Sequence, residues 1–69
     1  MESIAQALRA YLDLEDETPA TLARRARINR QTVDRVLAGG APSVFTLRAL
    51  HAATGGAIGL HLVEPPGEG

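Results

Sequence analysis

The chain has no cysteine and no tryptophan. Disulfides and thiolate metal sites are therefore excluded as reinforcements. Tyr11 and Phe45 are its only aromatic residues. A base-stacking platform for single strands or RNA needs several exposed rings, so that class is set aside. No run of about 18 apolar residues occurs, which predicts no membrane span. The N-terminal "MESIAQALRAYL" lacks a basic leader and is broken by Gln6 and Arg9, so no signal peptide is expected. A cytoplasmic protein is the expectation. Lysine is absent as well, so every side-chain cation other than histidine is an arginine.

What remains is a chain of 69 residues whose apolar content is mostly Ala, Leu, Val and Ile. A domain of this size buries only about 60% of its unfolded surface, so oligomerisation is the common way left to add buried area. The net charge of −1 says nothing about partners by itself, but its distribution does. "DLEDE", Asp13 to Glu17, holds four acids in five residues. Arg24 to Arg48 holds six arginines against the single Asp34. Charge segregated in this way predicts a molecule with one basic side.

Local signals predict four helices. Ser3 with Gln6 three residues on fits a capping box, and Ile4, Leu8, Tyr11 and Leu12 then repeat at helical spacing to about Leu14. The acidic run is read as the loop that ends this helix. Thr18-Pro19 restarts a helix, with threonine as N-cap and proline where no N–H is required. Leu22, Ala23 and Ala26 fall on one side of it. Asn29 caps a third helix whose inward residues are Val33, Val36 and Leu37, and Gly39-Gly40 stops it. Ser43 caps a fourth, with Phe45, Leu47, Leu50 and Ala53 expected in the buried stripe and Gly55-Gly56 at its end.

The period then changes. "AIGLHLV" alternates Ile58, Leu60 and Leu62 with Gly59 and His61, which predicts a strand over 57–63 before a disordered tail over 64–69. A lone strand needs a ladder partner. The economical partner is the same strand of a second copy, paired about a two-fold axis with Ile58, Leu60 and Leu62 at the dimer interface.

Two short helices joined by a three-residue turn carry the functional expectation. Ala23 is small where the helices cross, Ile28 plugs the turn, and Val33 and Val36 fix the second helix inward. Its opposite face is then free to enter a major groove. The stretch "TPATLARRARINRQTVDRVLAGGAPSVFTLRALHAATG" resembles the lambda-repressor-like helix-turn-helix family (Cro/C1-type, or XRE), over about Ile4 to Gly55. The tail "AIGLHLV" is similar to that of Hip-type antitoxin repressors, in which a strand pairs across the dimer. The resemblance implies a mainly α domain over 1–56 with four helices, plus one C-terminal β-strand across a homodimer. It also implies a cytoplasmic, nucleoid-associated protein of prokaryotic or phage origin.

The implied role is a repressor of double-stranded DNA targets that reads a palindrome, often its own promoter. Base-reading positions carried over from the family are Arg30, Gln31, Asp34 and Arg35, with Thr32 for a thymine methyl or a phosphate. Arginine can bond guanine O6 and N7, and glutamine adenine N6 and N7. Asp34 has two roles open to it, accepting from cytosine N4 or pairing with Arg30 one turn away. Phosphate contacts are expected from Asn29, Ser43, Thr46 and the loop amides of Gly40 and Ala41. Thr18, Thr21 or the Ala20 N–H would stand in for a family glutamine where this chain has Pro19. Arg24 and Arg25 are adjacent and cannot share a face, so one at most is expected at the DNA backbone. Arg27 replaces a family glycine, so the turn is expected to be less tight, and its side chain faces either DNA or solvent. Arg9 and Arg48 are read as ordinary surface residues.

His51 and His61 lack partners at metal-ligand spacing, so no metal and no cofactor is expected. His51 is read as a helix-surface residue near a C-terminus, and His61 as facing solvent or the dimer partner. The acidic run lacks the spacing of a calcium loop and is read as solvated or as a partner surface. No phosphate loop or nucleophile elbow occurs, so an enzyme is not expected. The alternative is an antitoxin that neutralises a co-encoded toxin protein while repressing the operon. A third reading is a protein-interaction module that does not bind DNA.

Overall fold

The computed structural model describes residues 3–59, and these form a mainly helical domain of four helices. They are α1 (Ile4–Glu15), α2 (Pro19–Ala26), α3 (Arg30–Leu37) and α4 (Val44–Ala53). Each begins at the residue that its local chemistry predicts. Ser3 accepts from the Gln6 N–H at 3.1 Å while the Gln6 side chain accepts from the Ser3 N–H at 3.0 Å, which completes the capping box. Thr18, Asn29 and Ser43 accept from the N–H groups of Thr21, Gln31 and Thr46.

All four helices end in one way. After each, a residue with positive φ turns the chain: Asp16 (φ 53°), Arg27 (φ 61°), Gly39 (φ 104°) and Gly55 (φ 64°). The N–H of the residue that follows then returns to a carbonyl in the last turn: Glu17 to Leu12, Ile28 to Ala23, Gly40 to Arg35 and Gly56 to His51. These are the closing bonds of the Schellman motif. Glycine supplies that conformation at two of the four stops. The acidic run is therefore not only a loop, because Asp13 to Glu15 are helical and Asp16 is the stop.

The core is aliphatic. Ala7, Leu8 and Leu12 from α1 meet Leu22 and Ala23 from α2, Val33 and Val36 from α3, and Leu47 and Leu50 from α4. Helix α2 packs on both α3 and α4, and α1 packs on α3. Ile28 lies partly buried against this cluster, as a plug for the turn requires. Phe45 does not join it. It stands 86% exposed beside Val44, which is 60% exposed. The inward stripe of α4 is Leu47 and Leu50, continued by the buried Thr54, and Phe45 in the first turn lies off that line.

The last described segment closes the core. Ile58 is fully buried within its own chain. Its N–H donates to the Thr54 hydroxyl at 3.1 Å, and that hydroxyl donates to the Leu50 carbonyl at 2.7 Å. The Ile58 carbonyl lies 2.8 Å from His51 Nδ1, an acceptor for a protonated Nδ1. His51 is thus a half-buried anchor and not a free surface residue. Ala57, Ile58 and Gly59 are not in strand conformation. Leu60, His61 and Leu62, with the rest of the expected strand and tail, lie outside the described residues. Among the described residues no helix is long and apolar enough to cross a membrane.

Candidate nucleic-acid interface

The turn between α2 and α3 sets the geometry. Arg27 takes φ 61° and ψ 42°, the left-handed conformation that glycine adopts most readily. Its N–H donates to the Arg24 carbonyl at 3.2 Å, and Ile28 donates to the Ala23 carbonyl at 3.0 Å. The expected loosening does not occur. The backbone closes the tight turn and carries the Cβ of Arg27 in a crowded region. Ala23 is buried at the crossing, where a larger side chain would push α2 from α3.

Helix α3 is two-faced. Val33 and Val36 are buried, while Arg30, Gln31, Asp34 and Arg35 are all exposed. At 3.6 residues per turn these four occupy one arc of roughly 140°. Thr32 is half-buried at the edge of that arc. Arg30 Nε lies 3.6 Å from Asp34 Oδ2, the pairing across one helical turn that is one of the two roles open to Asp34. Such an exposed pair adds little stability, but it biases where the guanidinium sits. Gln31 and Arg35 make no side-chain hydrogen bond among the described residues, so their polar ends face solvent unengaged.

Two helix N-termini carry paired hydroxyls. The Thr18 and Thr21 hydroxyls lie 3.0 Å apart at the start of α2. Ser43 donates to the Thr46 hydroxyl at 3.1 Å at the start of α4. Each pair engages one hydroxyl proton internally, which leaves Thr46, and one of Thr18 and Thr21, with a proton free to donate. Asn29 uses its side-chain oxygen as the cap of α3, which leaves its amide N–H groups free. The Ala20 N–H has no partner among the described residues, since Pro19 has no N–H and Thr21 is capped. Gly40 departs from expectation. Its N–H is already held by the Arg35 carbonyl at 2.9 Å, so it is not a free donor for phosphate.

The five clustered arginines separate by contact. Arg25 is the one that the fold uses. It forms an ion pair with Glu17, donates to the Tyr11 hydroxyl at 2.8 Å, and donates through Nε and Nη2 to the Ala53 carbonyl at 3.2 and 3.1 Å. The hydrogen bond to Glu17 holds its guanidinium above the ordinary arginine value against partial desolvation, and the Glu17 charge and Tyr11 act in the same direction. One acid of the "DLEDE" run is thus a structural partner and not merely solvated. Arg24, Arg27 and Arg35 have no side-chain hydrogen bond or ion pair among the described residues. Arg9, which sequence reasoning left on the surface, donates to the Leu37 carbonyl at 3.2 Å and ties α1 to the end of α3. Both anchors join residues far apart in sequence, so no local spacing rule could have revealed them.

The described site is therefore one exposed helix face with two arginines, an amide and one acid. The N-termini of α2 and α4 offer further hydroxyl donors at Thr18, Thr21 and Thr46. No family model, curated protein or solved structure matches this chain.

Proposed function

We propose that this chain is a sequence-specific double-stranded DNA-binding repressor built on a lambda-repressor-like helix-turn-helix domain. The observation that carries the reading is the outward face of α3. Val33 and Val36 anchor the helix, and Arg30, Gln31 and Arg35 are exposed on the opposite side. These side chains offer donors that match guanine and adenine edges in the major groove. Asp34 holds Arg30 from one turn away and is a positioning group before it is a reader. Thr32, at the edge of the face, suits a thymine methyl or a phosphate. Asn29, Thr18, Thr21, Ser43, Thr46 and Arg27 are assigned as phosphate contacts in this reading. In this reading Arg25 stays with the fold and contributes no DNA contact.

The protein acts as a homodimer on a palindromic operator, with half-sites about 34–36 Å apart. Ile58, expected at the dimer interface, is instead buried in the core of its own chain, so in this reading the pairing falls to Leu60 and Leu62. Leu60 and Leu62 follow Ile58 at alternating positions of the sequence, and in this reading they pair with the same segment of a second copy. In this reading the protein acts on its own promoter. The antitoxin alternative shares this DNA chemistry and adds a protein surface. Exposed Phe45 and Val44, which the core does not use, are the feature that favours it. Co-purification with the product of an adjacent toxin-like gene, lost on Phe45→Glu, would select it.

Fluorescence anisotropy on the protein's own upstream DNA tests the main reading. Tight binding is expected, with log affinity falling against log salt by about 0.9 for each phosphate neutralised. Absent or salt-insensitive binding would refute it and leave the interaction module.

A further inference from the structure

Gly40 is a glycine without a dihedral reason. Positive φ occurs at Gly39, Gly55 and Gly56, but not at Gly40. The reason is space. A Cβ placed on Gly40 would lie 2.8 Å from Arg35 Cγ, 3.0 Å from the Arg35 carbonyl oxygen and 3.5 Å from Arg35 Cδ. The stem of Arg35 therefore crosses the bare Cα of Gly40, while the Gly40 N–H bonds the Arg35 carbonyl at 2.9 Å. In a Schellman stop the two residues in these places commonly pack side chain on side chain. Here the glycine contributes none, and the arginine stem takes the space.

The two arginines of the α3 face are thus held by different devices. Arg30 is tethered at its charged end by Asp34. The Arg35 stem lies over the Gly40 backbone, and its charged end makes no hydrogen bond or ion pair among the described residues. A long side chain that is ordered before binding loses less rotamer entropy on contact. The last turn of α3 also receives a hydrogen bond from Arg9 at the Leu37 carbonyl.

We propose that Gly40 is a positioning residue for Arg35, its missing side chain setting the direction in which the Arg35 guanidinium leaves α3 toward a pair of acceptor oxygens or nitrogens on DNA. The proposal rests on the reading of α3 as the DNA-contacting helix. The shared chemistry is a bidentate acceptor, which a guanine edge and a backbone phosphate can both supply.

The experiment is a double-mutant cycle. Wild type, Gly40→Ala, Arg35→Ala and the double variant are measured by anisotropy against a library with each operator position randomised. Gly40→Ala is expected to weaken binding roughly tenfold and to lose that effect once Arg35 is alanine. If the loss falls on one base position, the acceptor is a guanine edge. If it is uniform across sequences, with a smaller salt slope, the acceptor is phosphate. An equal penalty from Gly40→Ala in both backgrounds overturns the proposal, because a mere backbone clash with the Arg35 carbonyl persists without the arginine stem. A second measurement needs no variant and no DNA. Side-chain NMR relaxation of the wild-type protein should show the Arg35 stem more ordered than that of Arg24, which is exposed and unpartnered among the described residues. Equal disorder at both arginines overturns the proposal even if DNA binds. Absence of DNA binding with an ordered Arg35 overturns the DNA reading instead.

Discussion

Replacing Arg27 by glycine should stabilise this protein. Arg27 sits at φ 61° and ψ 42°, where a Cβ crowds the backbone. That conformation costs a non-glycine residue on the order of 1–2 kcal/mol. Glycine removes the cost, but it also widens the unfolded ensemble, which returns about 0.4–1 kcal/mol. The net gain is then roughly 0.5–1 kcal/mol, or about 2–8 °C in Tm for a domain this small. No contact is lost, because the Arg27 side chain bonds nothing among the described residues. Arg27→Ala keeps the Cβ and should gain nothing, so it isolates the backbone effect from the charge. Asp16→Gly at φ 53° is the second control and should gain less, since aspartate tolerates this region better than most residues. Thermal unfolding followed by circular dichroism reads all three variants. A Tm for Arg27→Gly at or below that of Arg27→Ala would refute the reasoning and place the strain elsewhere.

Other consequences are direct. Ile58→Ala should cost about 2–5 kcal/mol, since the side chain is fully buried; an unchanged denaturant midpoint would remove Ile58 from the core. Thr54→Val leaves the Ile58 N–H without its acceptor and should cost about 1–3 kcal/mol, measured in the same assay. Arg25→Ala and Glu17→Ala should each lower Tm, with a double variant clearly better than the sum; strict additivity would show that the pair is not coupled. Truncation after Gly59 keeps Ile58 and should yield folded monomers in light scattering, and a persistent dimer would contradict the role given to Leu60 and Leu62.

The N-terminal end of every helix was legible because its chemistry is local. A cap hydroxyl or carboxamide reaches an N–H two or three residues on, and Ser3, Thr18, Asn29 and Ser43 all do so. The glycine stops at Gly39 and Gly55 were legible for the same reason, as was the division of α3 into a buried and an exposed face. The stops at Asp16 and Arg27 were harder to read, because neither residue is a glycine. Only the bonds of the last turn impose the left-handed conformation. Phe45 shows the opposite failure. An aromatic residue reads as core, yet its place in the first turn of α4 leaves it outside, and the buried stripe passes through Thr54 instead.

The arginines mark the boundary most clearly. Sequence alone determined that a basic cluster is concentrated around the second and third helices, and which of its members share a helix face. Tertiary structure alone decided that Arg25 belongs to Tyr11 and Ala53 as well as Glu17, and that Arg9 holds the end of α3. The physical reason is separation along the chain. A contact within one helical turn is specified by spacing, whereas Arg25 meets Ala53 and Arg9 meets Leu37 across 28 residues, and such meetings exist only once the helices have packed.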